Sequence, residues 1–157
     1  MPSRREQIAM SEQEVAALLA SERTITCATI GPRGLPHLMP LWYVVRGTEV
    51  WAWTFGRSQK VRNLERDPRA TLQVETGGEY QELRGVMLEC DVVVHRARAV
   101  IAEVGLEVLI RYSGAAREEV EAGARAAVEQ QVAKRVALQF IPQRVASFDH
   151  RKLGGVY

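Results

Sequence analysis

Apolar and polar residues alternate with two periods along this chain. Ser11-Glu12-Gln13-Glu14 has the form of a capping box: the serine hydroxyl accepts from the third helical amide and the glutamate reaches back to the cap. Val15, Leu18 and Leu19 follow at three- to four-residue spacing, which predicts a short amphipathic helix to about Ala20. Residues 24–30 are β-branched and strand-like. Gly31-Pro32-Arg33-Gly34 is a turn, and residues 35–45 read as one long strand. Pro36 and Pro40 within it have no amide to donate, which predicts a bend or an edge position. Gly47-Thr48 turns the chain into a third strand, 49–55. Strands joined by such short turns form an antiparallel meander.

A helix then interrupts the strands. Ser58 is a plausible N-cap, Val61 and Leu64 give an apolar stripe, and Asp67-Pro68 ends it. Residues 69–75 are a fourth strand, 76–81 a loop and 83–95 a fifth strand. Val100, Val104 and Val108 mark a helix over 97–112, broken by Ser113-Gly114. A charge-rich helix over 115–134 follows, with Glu118, Glu121 and Arg125 spaced for i, i+4 pairs on a solvated face. The last strand is 136–148. The pattern predicts a mainly β, α+β fold: a six-stranded antiparallel barrel with helical additions. One domain spans 1–157, with 1–10 a flexible lead and 149–157 a tail. The order strand–strand–strand–helix–strand–strand argues against βαβ alternation.

Composition narrows the function classes. With 157 residues, 46% hydrophobic, 25% charged and net charge +2, the chain fits one soluble globular domain. Cys27 and Cys90 are too few for a disulfide scaffold, and no Cys/His spacing suggests zinc, so no metal is expected. No apolar run reaches the ~18–20 residues of a membrane span, and the polar N-terminus has no signal-like segment. The expectation is a cytoplasmic protein without membrane or nucleic-acid partners, since acids are interspersed with the arginines rather than leaving a basic stripe. The only lysines among the 21 basic residues are Lys60, Lys134 and Lys152, a bias that fits a GC-rich genome.

The chemistry concentrates at Trp53-Thr54-Phe55-Gly56-Arg57-Ser58-Gln59-Lys60-Val61-Arg62-Asn63-Leu64. A strand ends, a glycine intervenes and a helix begins. A helix N-terminus presents unpaired N–H groups and partial positive charge. Acids usually occupy its first turn, whereas here Arg57, Lys60 and Arg62 surround it. Helix N-terminus, serine hydroxyl and cations together have the physical type of a phosphate site. On these residues alone a second reading stands: solvated cations paired with Glu65 and Asp67. Trp51 and Trp53 read as packing residues, and Trp42 suits packing or ring contact equally. Tyr43 and Tyr80 read as structural first. Cys27 and Cys90 read as buried thiols. His37, His95 and His150 have no ligand spacing; His37 and His150 stay as candidate proton donors.

The paired strands within 25–45, the stretch Thr54-x-x-Arg57-Ser58-x-Lys60-Val61-x-Asn63-Leu64 and the stop Asp67-Pro68-Arg69-Ala70 resemble the pyridoxamine 5′-phosphate oxidase-like family. That family has an FMN-binding split β-barrel. The resemblance runs from about Glu14 to the C-terminus, with its best signature at 60–69. The ending Ser147-Phe148-Asp149-His150-Arg151-Lys152-Leu153-Gly154-Gly155 is similar to actinobacterial split-barrel reductases that use the deazaflavin coenzyme F-420. The arginine and histidine of a C-terminal extension, which bind substrate phosphate in authentic pyridoxamine phosphate oxidases, have no clear counterpart, which argues against vitamin B6 oxidation.

The resemblance implies a homodimer with cofactors at the interface. Arg57, Ser58 and Lys60, with Thr54, would hold the cofactor phosphate, supported by Val61 and Arg62. Met39, Pro40, Leu41 and Trp42 would line the ring through backbone groups. Gly77, Gly78, Tyr80 and Gln81 would close over it from either subunit, and residues 150–154 would approach the same groove. Arg62, with Arg33 and Arg84 behind it, would meet the glutamate tail of F-420. The expected function is hydride transfer from coenzyme F-420 to a conjugated or quinone-like small molecule. FMN is the alternative cofactor, in an oxidase or reductase, and a non-catalytic flavin-, deazaflavin- or haem-binding protein is the alternative outside catalysis. The cofactor carries the chemistry, so no catalytic side chain is required.

Overall fold

Two capped helices lead the chain, α1 (Arg4–Ile8) and α2 (Glu12–Ser21), each opened by a serine whose hydroxyl accepts the N3 amide while the N3 glutamate bonds back. The expected flexible lead thus contains α1. Seven strands follow: β1 (Ile25–Ile30), β2 (Pro36–Leu41), β3 (Val44–Arg46), β4 (Glu49–Phe55), β5 (Arg69–Thr76), β6 (Arg84–His95) and β7 (Arg135–Asp149). Between them lie α3 (Gln59–Arg66), α4 (Arg98–Ser113) and α5 (Arg117–Gln131). The computed structural model describes residues 1–155.

All seven strands form one antiparallel sheet in the order β2-β1-β5-β6-β7-β4-β3. Its two edges, β2 and β3, are neighbours in the chain, separated only by Trp42 and Tyr43. A two-residue link cannot span an open sheet, because strands lie about 4.8 Å apart in the ladder direction. The sheet therefore curls until its edges meet, and the barrel is closed by the chain rather than by a ladder. This corrects the six-strand expectation. Residues through Leu41 pair with β1 (Leu41 opposite Ile25), whereas from Val44 they pair with β4 (Val44 opposite Trp51). One continuous strand cannot serve both partners.

Inward-facing Ile25, Cys27, Val50, Leu72, Val86, Leu138 and Phe140 fill the barrel. Val61 and Leu64 of α3 join this core at the end where β4 finishes, and Leu18 and Leu19 of α2 join it beside Tyr43. A second apolar layer lies outside. Val44, Trp51, Trp53 and Ala137 pack under Ile101, Val104 and Val108 of α4, with Val128 of α5. At Gly105 a Cβ would stand 2.7 Å from the Trp53 ring, so α4 sits this close only because glycine is there. On α5 the expected Glu121–Arg125 pair forms, and Glu121 pairs with Arg117 as well, whereas Glu118 is in neither i, i+4 pair.

The link itself is locked by α4. Tyr43 is fully buried. Its hydroxyl donates to Leu19 O at 2.6 Å, and its amide donates to Tyr112 Oη at 3.0 Å. Arg111 donates to Tyr43 O and to the α2 C-terminal carbonyls of Leu19 (3.1 Å), Ala20 (3.1 Å) and Glu22 (2.8 Å). One guanidinium thus serves carbonyls that the helix end and the link leave without backbone partners. Arg111→Met is expected to lower stability by about 2–3 kcal/mol, the scale of charge-assisted bonds lost with their acceptors left unsatisfied. Urea denaturation would show this as a lower midpoint at unchanged slope; a loss below about 0.5 kcal/mol would contradict the locking role.

Candidate functional site

The end of β4 sets the site. After Phe55 the Gly56 amide donates to Lys134 O at 2.9 Å, and the Ser58 amide closes a turn onto Phe55 O at 3.0 Å. Ser58 then caps α3 with extended backbone, φ −67° and ψ 155°, but its side chain makes no capping bond and no acid occupies the first turn. α3 is held instead by Asn63, which is fully buried and donates Nδ2 to Thr29 Oγ1 of β1 at 3.0 Å. Its Oδ1 accepts from Gln59 Nε2 at 2.8 Å and Arg66 Nη2 at 3.2 Å. The sequence reading gave Asn63 no task; its position among Val61 and Leu64 on a short helix is the signal that could have found it.

Lys60 points into the barrel end. It is only 8% exposed. Its Nζ donates to Thr54 Oγ1 at 3.3 Å, and no carboxylate pairs with it among the described residues. Burial holds this ammonium below the ordinary lysine value of 10.5. The neighbouring Cys27 thiol is pushed up to about 12 by its own burial, so it stays neutral and supplies no counter-charge. Among the described residues, two buried side-chain polar atoms have no hydrogen-bond partner: Ser58 Oγ and His37 Nδ1. An under-bonded cation and an unbonded hydroxyl thus stand together at a helix N-terminus, with donor capacity that the described residues do not use.

The structure brings Thr54, Ser58, Lys60 and Val61 together. Val61 is fully buried in the core, so it supports the site from beneath. Arg57 and Arg62 are exposed, and neither has a carboxylate partner among the described residues. The alternative pairing fails on geometry: Glu65 pairs with Arg96 and Asp67 with Arg69. Met39 is opposite Cys27, and cross-strand partners share a face, so Met39 lies on the face of the sheet that Cys27 faces. Pro40, opposite Thr26, alternates to the other face, and Leu41 turns into the core. Trp42 is 53% exposed and stacks on Tyr112 at 4.3 Å and 13°. Trp51 and Trp53 are buried packing residues.

Gly77, Gly78, Tyr80 and Gln81 do not join this group within one chain. They connect β5 to β6 where Thr76 pairs with Arg84, whereas α3 enters β5 at its other end, where Arg69 pairs with Asp91. The tail lies with that loop. His150 Nδ1 is 3.0 Å from Tyr80 O, the two rings are 4.8 Å apart, and the His150 amide donates to Leu83 O at 2.9 Å. Lys152 bonds Ala9 O and Glu14, each at 2.7 Å. Residues 150–153 are therefore tied to the far end of the barrel, away from Lys60 of the same chain.

The family model for pyridoxamine 5′-phosphate oxidase matches residues 11–148. The conserved hypothetical protein Rv2991 from Mycobacterium tuberculosis is 40% identical, with TM-score 0.87 over 99% of this chain and 95% of that one. HutZ, a haem storage protein from Vibrio cholerae, has TM-score 0.66 at 15% identity over 88% and 96% of the two chains. An F420 reductase has TM-score 0.59 at 20% identity over 93% and 98%. The last two likenesses show the fold alone. Comparison with curated proteins gives no match. Among the described residues, no helix is long and apolar enough to cross a membrane.

Lys60 makes its own prediction. Below its lowered folded pKa the ammonium is charged in folded and unfolded chains alike, and the burial cost applies in full. Between that value and 10.5 the folded chain has released the proton while the unfolded chain keeps it, so stability rises with pH through this window. Lys60→Met, apolar and of similar length, is expected to equal or exceed the wild type in stability at pH 7 without ligand. Its advantage should shrink as pH approaches 10. Urea titrations at pH 7 and pH 10 test this; a Met variant clearly weaker at pH 7 would show that Lys60 stabilises the ligand-free fold.

Proposed function

The chain belongs to the pyridoxamine 5′-phosphate oxidase family, and we propose that it is a deazaflavin-dependent reductase which binds coenzyme F-420 and passes hydride to a conjugated or quinone-like small molecule. The observation that carries this reading is the unsatisfied donor set at the head of α3: the Ser58 hydroxyl without a partner and the buried Lys60 ammonium with one. A phosphate group offers several acceptor oxygens and up to two negative charges. It would accept from Ser58 Oγ, from Lys60 Nζ and from the first-turn amides of α3, and it would reverse the charge imbalance of that helix end. The residues present fit such a group.

Each remaining residue has a task that follows from its place. Thr54 holds the Lys60 ammonium at the barrel end, and Asn63 fixes α3 against β1 so that the donors keep their aim. Arg57 and Arg62, exposed and without carboxylate partners among the described residues, add positive potential around the phosphate and toward an anionic tail. The outer edge of β2 carries no ladder partner, so its backbone from Met39 to Trp42 is free to bond the polar rim of a ring. When bound, the deazaflavin supplies the hydride chemistry. The protein's part is to bind, orient and exclude water. FMN carries a phosphate on the same side chain of its ring, as a terminal monoester, and is the second reading. Haem carries propionate carboxylates in place of a phosphate, with fewer acceptor oxygens on each anionic group than the donor set at the head of α3 can serve.

A homodimer belongs to this reading. Ile30, Leu35 and Leu38 are large, apolar and exposed along the β1–β2 edge. Beside them, a cleft of ≈ 400 Å³ over the outer faces of β1, β5 and β6 is lined by Ala28, Pro36, Thr71 and Glu89. A second copy seated there would cover this apolar strip. It would also let the Gly77, Gly78, Tyr80 and Gln81 loop reach the partner's groove, which it cannot do within its own chain.

Two measurements test the proposal. Titration of the ligand-free protein with F-420 and with FMN, followed by tryptophan quenching, is expected to favour F-420. Lys60→Ala should weaken binding by on the order of 1.5–3 kcal/mol, a tenfold loss or more. Binding of neither cofactor, or unchanged affinity in folded Lys60→Ala, would sink the phosphate assignment. Sedimentation should show a dimer at micromolar concentration; a monomer binding cofactor at full affinity would rule out a shared site.

A further inference from the structure

The turn that joins β4 to α3 leans on the start of β7, a neighbour to which the reading above gives no task. Phe55, the last residue of β4, is opposite Arg135, the first of β7, and the Gly56 amide donates to Lys134 O at 2.9 Å. The Ser58 amide closes the turn on Phe55 O. A four-residue turn keeps its end Cα atoms within about 7 Å, and laddered Cα atoms stand about 4.5–5.5 Å apart. Ser58 and Arg135 therefore lie within about 13 Å of each other, Cα to Cα. Thr54, which holds Lys60, and Phe55, which meets Arg135, point to opposite faces of β4. Lys60 and Arg135 thus flank the turn, and exposed Arg57 stands on it between them.

Arg135 carries a charge that no acid of the described residues neutralises. Its guanidinium lies over the rings of Trp53 (4.2 Å) and Phe55 (4.3 Å), and its one side-chain hydrogen bond among those residues is to Gln131 at 3.4 Å. The rings fix the cation in place but offer it no counter-charge. It is half-buried, and burial pushes it below the ordinary arginine value. Lys134 beside it is exposed, and no carboxylate pairs with either among the described residues. With Arg57 and Lys60, four cations surround one turn. The acids of α3 and α5 that could meet them pair elsewhere: Glu65 with Arg96, Asp67 with Arg69 and Glu129 with Arg98. Like charges so placed repel one another in the ligand-free fold. A phosphate at Ser58 and Lys60, with at most two negative charges, offsets no more than half of that excess.

We propose that Lys134 and Arg135 form a second anion subsite, for a carboxylate or phosphate that the ligand carries beyond the phosphate held by Ser58 and Lys60. This rests on that phosphate assignment. The ligand crosses the turn beside Arg57, which meets it between the two subsites. In the deazaflavin reading the second group is a carboxylate of the glutamate tail, and the second phosphate of FAD has the same anionic chemistry. Arg84, the other cation considered for such a tail, is set by the register at the far end of β5. FMN ends at its one phosphate and leaves Lys134 and Arg135 unmet, so this subsite sets the preference among the cofactors. It binds and orients; no bond is made or broken there.

Calorimetric titration of the whole chain with F-420, FMN and FAD tests this, in the wild type, Lys134→Gln, Arg135→Gln and the double variant. The double variant should raise the F-420 dissociation constant by about tenfold, the scale of a lost charge-assisted contact, and leave that of FMN within about twofold. F-420 stripped of its glutamates should bind wild type and double variant alike, because it lacks the group the subsite holds. A residue that only packs against Trp53 and Phe55 would weaken every ligand together. Equal losses for F-420 and FMN therefore overturn the inference, as does an unchanged F-420 constant in the folded double variant. Should Arg135→Gln fail to fold, the exposed Lys134→Gln supports the same comparison, with about a threefold loss expected for F-420 and none for FMN. A wild type that prefers FAD, with the loss falling on FAD in the double variant, upholds the subsite and makes its occupant a phosphate. If Lys60→Ala weakens both F-420 and FMN while the double variant binds F-420 normally, the phosphate site stands and this inference alone falls. If the wild type binds none of the three, both fall.

Discussion

The chain passes from one edge of the sheet to the other through Trp42 and Tyr43, and the rest of the molecule is arranged around that passage. A backbone leaving one ladder for another has, for those residues, no strand to bond. Tyr43 resolves this with side chains: Tyr112 meets its amide, Arg111 its carbonyl, and its own hydroxyl reaches the end of α2. The cost of closing a barrel without a ladder is thereby moved onto α2 and α4. That explains why α4 approaches so closely that Gly105 must lack a side chain against Trp53. It also explains why Trp42 is held rigid on Tyr112 although half of it faces solvent.

The opposite end of the barrel is organised by a different conflict. Asn63 satisfies its own hydrogen bonds and locks α3 in place. The locked helix then holds Lys60 where an ammonium has little solvent and one marginal bond. Local rules ask for an acid in the first helical turn and a capping bond from Ser58; neither is present. Departures of this kind are expected where a fold is shaped for a ligand rather than for its own stability. The rigid anchor and the unsatisfied donors are parts of one device, since donors aimed by a flexible helix would lose their arrangement without an acceptor present.

Much of this is legible in the sequence, and what is not legible there has physical causes. Capping serines, strand runs and the α3 stripe are local, and they were placed within a few residues. The break after Leu41 was not, because hydrophobic periodicity reports extended backbone and says nothing of which neighbour it pairs with. The grouping of Gly77 and Tyr80 with Lys60 failed within one chain for the same reason: register, not spacing, puts that loop at the far end of β5. Glu65 and Asp67 lay close enough in sequence to neutralise Arg57 and Arg62, but Arg96 arrives from the end of β6 and Arg69 folds back onto Asp67. His37 reads in the sequence only as a candidate proton donor, since an unbonded Nδ1 exists only once the strand is packed.

These two ends meet along β2. Barrel closure by a link leaves β2 without an outer ladder partner, and an unpaired edge with exposed Leu38 and Met39 is an aggregation hazard unless something covers it. Pro36 and Pro40 blunt it, since neither can donate to an added strand. The same prolines face Ile30 and Thr26 on one side of the strand, while His37 and Met39 face α3 on the other. The strand therefore has a side suited to another protein surface and a side suited to a ligand. In the proposed dimer both needs would be met at once, a second copy covering one side of the strand while the cofactor fills the other.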